Sequence, residues 1–138
     1  MKRKEPMTRS ENMARVKNKD TKLEIYLRKL LWHRGFRYRV NYKELPGTPD
    51  IYVLKYNTAI FVNGCFWHMH ENCKLSTIPK TNYEFWKKKL EGNVKRDKEN
   101  YKQIENMGIK VIVVWGCEIK QMKKDDSILE NIINSIMN

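Results

Sequence analysis

A chain of 138 residues with 28 Lys and Arg against 16 Asp and Glu, a formal net of +12, is the size of one domain and has the charge of a polyanion binder, nucleic acid first and an anionic membrane surface second. Its 41% hydrophobic content supplies a core, which excludes a disordered chain, and the lack of any eighteen-residue apolar run excludes a spanning helix. Three cysteines, an odd number, and a start (Met1-Lys-Arg-Lys-Glu-Pro6) without an apolar stretch behind it argue against an exported disulfide framework and point to the cytoplasm.

Residues 1–19 hold Lys2, Arg3, Lys4, Arg9, Arg15, Lys17 and Lys19 against Glu5 and Glu11, and few large apolar residues. They read as a basic arm that orders on a partner, or as a frayed terminus, ahead of a single domain over 20–138. Thr21-Lys-Leu-Glu24 has the form of a capping box, and Leu23, Leu27, Leu30 and Leu31 follow at helical spacing, with Gly35 just past the end. A short strand is predicted at 36–40, then a turn at Pro46-Gly47-Thr48-Pro49, then a hairpin of strands at 51–54 and 58–62. Residues 65–80 lack periodicity and read as a loop. Thr81-Asn-Tyr-Glu84 is a second capping box, so a long helix is predicted from 81 to 107, with Gly108 as its C-terminal cap. Its inward stripe is Tyr83, Trp86, Leu90, Val94, Asp97, Tyr101 and Ile104. Residues 110–115 form an apolar run that suits a strand buried on both faces, and a last helix starts near Ser127. The order α, β, β, β, loop, α, β, α makes an α/β (α+β) domain, a small mixed sheet with helices against it.

Cys65, His68, His70 and Cys73 fall within nine residues, and Cys117 follows the apolar strand. Three thiolates and one imidazole make the ligand set of a structural zinc, which leaves one histidine for other work. The alternative is that the cysteines are small buried hydrophobes and the histidines surface residues. Asp50 ends a turn and opens a strand, where a carboxylate projects into a cleft and can hold Mg²⁺, or is an ordinary turn residue. Asp97 interrupts an apolar stripe, so it faces a cation, a histidine or a metal, unless the helix leaves the core there. Glu24 either completes its capping box or stands behind a metal, and the two roles are compatible. Phe66 and Trp67 sit in a loop and are hard to explain as core, whereas Trp86 is either core or part of a stacking platform beside Lys87, Lys88 and Lys89. A zinc-type ligand set, placed acids and a spare histidine on a basic chain suit metal-assisted phosphodiester hydrolysis.

Six segments carry a resemblance: Thr8-Arg-Ser-Glu-Asn-Met13, Leu45-Pro-Gly-Thr-Pro-Asp50, Phe61-Val-Asn-Gly-Cys-Phe-Trp-His68, Glu84-Phe-Trp86, Asn93-Val-Lys-Arg-Asp97 and Val113-Val-Trp-Gly-Cys117. Together they span nearly the whole chain, which resembles the very-short-patch repair (Vsr) endonucleases, bacterial enzymes that nick DNA at T:G mismatches. The resemblance implies a restriction-endonuclease-like, PD-(D/E)xK core. Asp50 and the backbone carbonyl of Val62 would be Mg²⁺ ligands, and Glu24 would hold a water of the metal's shell. His68 would be the acid–base residue, oriented by Asp97. Cys65, His70, Cys73 and Cys117 would bind structural Zn²⁺. Phe66, Trp67 and Trp86 would wedge beside the mismatch, Lys89 and Asn93 would face it from the major groove, and the basic arm with Met13 would close over the minor groove.

The resemblance also implies a cut 5′ of the mismatched T, leaving a 5′-phosphate. By analogy it implies a functional tie to a cytosine-5 methyltransferase, and it leaves open a contact with other mismatch-repair proteins. A monomer is expected, with no membrane partner. Two departures stand out. The Glu-x-Lys of the wider nuclease class is replaced by Phe61-Val62-Asn63, with Asn63 where a histidine is expected, and one residue is inserted between His70 and Cys73. The competing readings are a nuclease of other specificity and a zinc-stabilised DNA-binding module without catalysis.

Overall fold

The structure is a computed structural model that describes residues 21–138; the basic arm over 1–19, with Met13, lies outside the described residues. Helix α1 (Lys22–His33) begins where expected: Thr21 is its N-cap, and the Glu24 N–H donates to Thr21 Oγ1 at 3.3 Å. Leu27 and Leu31, one helical turn apart, are fully buried, each contributing roughly 1.5–3 kcal/mol relative to an exposed side chain. The strand expected at 36–40 shrinks to β1 (Arg39–Val40), because Phe36 enters the core from the loop after α1.

Strands β2 (Ile51–Val53) and β3 (Thr58–Asn63) form the expected antiparallel hairpin. A 3₁₀ turn over Leu54–Tyr56 replaces the last residue of the first predicted strand, and Asn57 closes it in the left-handed conformation. Helix α2 (Tyr83–Asn106) then crosses over to β4 (Lys110–Trp115), which pairs parallel to β3 with Val62 opposite Val114. The described sheet is ordered β1-β2-β3-β4. Helix α3 (Gly116–Met122) and helix α4 (Asp126–Met137) complete the chain.

Alternation along the strands distributes side chains to two faces. Ile51, Val53, Ile60 and Val114 pack with Leu27, Leu31, Ile119, Ile132, Ile133 and Ile136, so α1, α3 and α4 cover one face. Tyr52, Ala59 and Phe61 pack with Ile104, so α2 covers the other. The result is a mixed α/β sandwich. Three expectations need correction. The first turn of α2 is capped by Asn82 in a left-handed conformation, without a side-chain cap, so the predicted box at Thr81 is not used and Tyr83 is exposed. In β4 only Val114 is fully buried, because in the described sheet this strand lies at an edge. The third is the element order, which gains α3 between β4 and the last helix. Among the described residues no helix is long and apolar enough to cross a membrane.

Candidate active site and metal centre

The functional side chains gather where β2 begins and β3 ends. Because these strands are antiparallel, with Ile51 opposite Ile60, Asp50 stands beside the end of β3. The turn that presents it needs Gly47 (φ +76°) and Thr48 (φ 50°), both left-handed. A Cβ at Gly47 would meet Asn100 Nδ2 at 2.8 Å, so helix α2 also leaves no room for a side chain there.

The Asp50 carboxylate accepts the Val62 N–H at 2.6 Å. Burial pushes the Asp50 carboxyl up from 3.8 to about 7; the negative charge of Glu24 adds to this, while the Val62 N–H, Arg28 and His68 oppose it. Glu24 comes from the first turn of α1, is 3% exposed, and meets Arg28 one turn later at 3.4 Å. Two acids thus converge in a partly dehydrated cleft, an arrangement that a divalent cation stabilises and that fits the hard oxygen ligands of Mg²⁺. Arg28 was missed from sequence; its signal was the i, i+4 pairing with Glu24.

His68 lies in the loop after β3, where its N–H donates to the Gly64 carbonyl at 3.1 Å. Its ring Nδ1 pairs with Asp97 Oδ2. The acid that broke the apolar stripe of α2 is therefore a histidine partner. Holding Nδ1 leaves Nε2 as the nitrogen able to exchange a proton.

The ligand atoms of Cys65, His70, Cys73 and Cys117 all lie within 4.8 Å of one another. A tetrahedral zinc with Zn–S of about 2.3 Å places its ligands ~3.8 Å apart, so the four fit one ion with small adjustment. Cys117 Sγ and His70 Nδ1 are 3.5 Å apart, and the His70 ring stacks on Trp115 with centroids at 4.0 Å. The His70 N–H donates to the Cys65 carbonyl at 2.9 Å, which folds the loop back on itself. Burial and the neighbouring Cys65 push the Cys117 thiol up to about 12, and burial raises Cys65, while backbone N–H groups at Leu75 and Ser76 lower Cys73. The thiolates cannot all ionise together without a cation among them, which supports a metal at this cluster.

The aromatic residues divide. Phe66 and Trp86 are 5% and 3% exposed and form a small core with Leu90, so Phe66 is core after all. Trp67 is half-buried and meets both rings edge to face, at 5.2 and 5.6 Å. Its Nε1 is buried without a hydrogen-bond partner among the described residues. Phe85 is 60% exposed beside Trp86. Asn93 donates to the Trp67 carbonyl at 3.1 Å and accepts from Arg96, which holds the loop to α2. Lys89 is exposed on the same helix. In sequence Tyr101 shows only as a member of the apolar stripe, yet its hydroxyl accepts from Asn63 Nδ2 at 2.7 Å, a bond that no local signal announces.

Residues 1–75 match the family model described as DNA mismatch endonuclease Vsr. The chain is 47% identical over 112 residues to the type II nicking enzyme V.NmeAIP of Neisseria meningitidis serogroup A, covering 81% of this chain and 79% of that protein. It is 39% identical over 127 residues to the DNA mismatch endonuclease Vsr of Escherichia coli K12, covering 91% and 81%. To the type II nicking enzyme V.XorIIP of Xanthomonas oryzae pv. oryzae it is 37% identical over 129 residues, covering 94% of each.

Proposed function

Because the chain belongs to the Vsr family of DNA mismatch endonucleases and is a DNA endonuclease of repair, we propose that it nicks one strand of duplex DNA 5′ of the T in a T:G mismatch, in a Mg²⁺-dependent reaction. The observation that carries this reading is the convergence of Asp50, Glu24 and the His68–Asp97 pair at one end of the sheet. The mixed sheet is read as a restriction-endonuclease-like core over 20–138, with residues 1–19 and Met13 as an arm that embraces the minor groove.

Asp50 and the Val62 carbonyl would hold Mg²⁺, with Glu24 behind them. A divalent cation bound there supplies Lewis-acid neutralisation of the scissile phosphate. The rest belongs to the chain. Asp97 fixes the orientation of the His68 ring through Nδ1, and His68 Nε2 moves a proton at the attacking water or the leaving oxygen. Burial of Asp50 keeps bulk water from the reacting phosphate and strengthens each charge there. The products are a 5′-phosphate and a 3′-hydroxyl. Cys65, His70, Cys73 and Cys117 would hold Zn²⁺, pinning the His68 loop to the start of α3.

Mismatch selection is assigned to the aromatic block. Trp67 is its half-buried member, with Phe66 and Trp86 behind it as a rigid support. Wedging a ring into the stack costs a few kcal/mol, least at a mispaired step, so insertion itself favours the mismatch. Lys89 and Asn93 face the pair from the major groove; for Asn93 this means exchanging its bonds to Trp67 and Arg96 for a base edge. The protein is placed in the bacterial cytoplasm on nucleoid DNA, as a monomer, working with other repair proteins and with a cytosine-5 methyltransferase that creates the sites of deamination.

The test is nicking of duplexes that carry one T:G pair or none, in randomised flanking sequence, with Mg²⁺ or EDTA. A Mg²⁺-dependent nick 5′ of the mismatched T is expected. Cutting of fully paired DNA at equal rate would replace the reading with a nuclease of other specificity.

A further inference from the structure

Asn63 closes β3 and is 4% exposed. Its amide is spent on one partner across the sheet face: Nδ2 donates to the Tyr101 hydroxyl oxygen at 2.7 Å. Tyr101 lies one turn beyond Asp97 on α2, and its ring packs on Phe61 with centroids at 4.8 Å. Two neighbouring turns of α2 therefore reach the end of β3 and the loop after it, one through Asp97 to His68 and one through Tyr101 to Asn63.

The direction of the second bond matters. The amide can only donate through Nδ2, so the phenolic oxygen is the acceptor and its own hydrogen is left to point elsewhere. Among the described residues no acceptor takes that hydrogen. The hydroxyl also feels the charges of both Asp97 and Asp50, which places it at the acid cluster. Burial holds the phenol up at about 12, so it keeps its proton throughout the working range.

We infer that the Tyr101 hydroxyl, aimed by Asn63, is a further catalytic group that donates a hydrogen bond to a non-bridging oxygen of the scissile phosphate. The inference rests on the reading of the Asp50–His68 cluster as the cutting centre. No proton is transferred: the phenol lends its hydrogen to the oxygen as negative charge grows there and retains it afterwards. A preorganised donor of this kind contributes roughly 10²-fold to a rate when the alternative is an unfilled position. Asn63 is the positioning residue, because it touches the phenol and not the substrate.

The test is single-turnover nicking of a T:G duplex by wild type, Tyr101→Phe, Asn63→Ala and Asp50→Asn, on unmodified DNA and on the two phosphorothioate diastereomers at the scissile phosphate. Tyr101→Phe keeps the ring on Phe61, so its Tm and DNA affinity should stay near those of wild type while the rate falls about 10–100-fold. Sulfur accepts hydrogen bonds poorly, so one diastereomer should slow wild type, and that penalty should shrink in Tyr101→Phe. Asn63→Ala should lose a similar factor, and a Tyr101→Phe/Asn63→Ala double variant assayed alongside should lose little more than either, because the pair acts as a unit. An unslowed Tyr101→Phe, or a slowed one whose sulfur penalties match those of wild type, would overturn the inference and leave Tyr101 as a tether. If Asp50→Asn cuts as fast as wild type, the centre itself is misplaced and the Tyr101 inference falls with it. If Asp50→Asn is inactive, the two failures are separated.

Discussion

Asp50→Asn gives the sharpest test of the site's electrostatics, because it can be read without any substrate. The Asp50 carboxyl is raised from 3.8 to about 7, chiefly by burial and then by Glu24. That difference corresponds to about 4 kcal/mol by which the site disfavours the charged form. Between these two values the native state keeps a proton that the unfolded state has lost, so stability falls as pH rises, by at most about 1.4 kcal/mol per pH unit. The contribution is fully present below 3.8 and lost once pH passes about 7. Asparagine has no proton to lose and still offers an oxygen to the Val62 N–H. Glu24, Arg28 and His68 remain in both proteins, so subtracting one curve from the other isolates Asp50.

Urea melts of the Mg²⁺-free proteins from pH 4 to pH 8 should show wild type losing up to about 4 kcal/mol relative to Asp50→Asn, on the order of 10 °C in Tm for a domain of this size. Saturating Mg²⁺ at pH 8 should recover much of that loss in wild type and little in the variant, since the cation binds the ionised carboxylate. Parallel stability curves for the two proteins would refute the burial argument. A Mg²⁺ response of equal size in both would remove Asp50 as a ligand.

Asp97→Asn leaves the size of the partner unchanged but removes the charge that orients His68 Nδ1; nicking should fall about 10²–10⁴-fold with DNA affinity retained, and an unchanged single-turnover rate would reduce the pair to packing. Cys117→Ala should lose bound zinc and thermal stability together, measured by metal analysis and calorimetry on the same sample, while a normal zinc content would refute the four-ligand set. Trp67→Ala should lower the preference for T:G over paired DNA by roughly 10-fold, more than it lowers non-specific binding; equal losses would make Trp67 part of the core alone.

The sequence was most legible where one local rule acts alone. The capping residue Thr21, the leucine spacing of α1 and the hairpin over residues 51–63 needed no distant partner, and the structure contains them with small changes of boundary. Asp97 was visible for the opposite reason, since a charge on an apolar stripe demands a partner, although the stripe could not say that the partner was His68. The four zinc-type side chains were visible by residue type, but their closure depends on parallel β4 delivering Cys117 beside Cys65.

What was missed depended on tertiary contacts. Helix α3 lacks a Ser, Thr or Asp cap; its start is marked only by Glu118, whose carboxylate accepts the Trp115 N–H at 2.9 Å, half of a capping box. Phe66 looked like a loop aromatic because its core is built from α2, some twenty residues later. Asn63 and Tyr101 are thirty-eight residues apart, and neither carries a local signal that it bonds the other.

Whether the Asp50 cluster cuts DNA at a mismatch is decided by one kinetic comparison. A labelled duplex with a single T:G pair is mixed with excess wild type or Asp50→Asn in Mg²⁺, and cleavage and binding are followed on the same samples. Wild type should make a single nick 5′ of the mismatched T, and Asp50→Asn should cut more slowly by about 10³-fold or more at nearly unchanged affinity. A variant that cuts the same bond at the wild-type rate would contradict it.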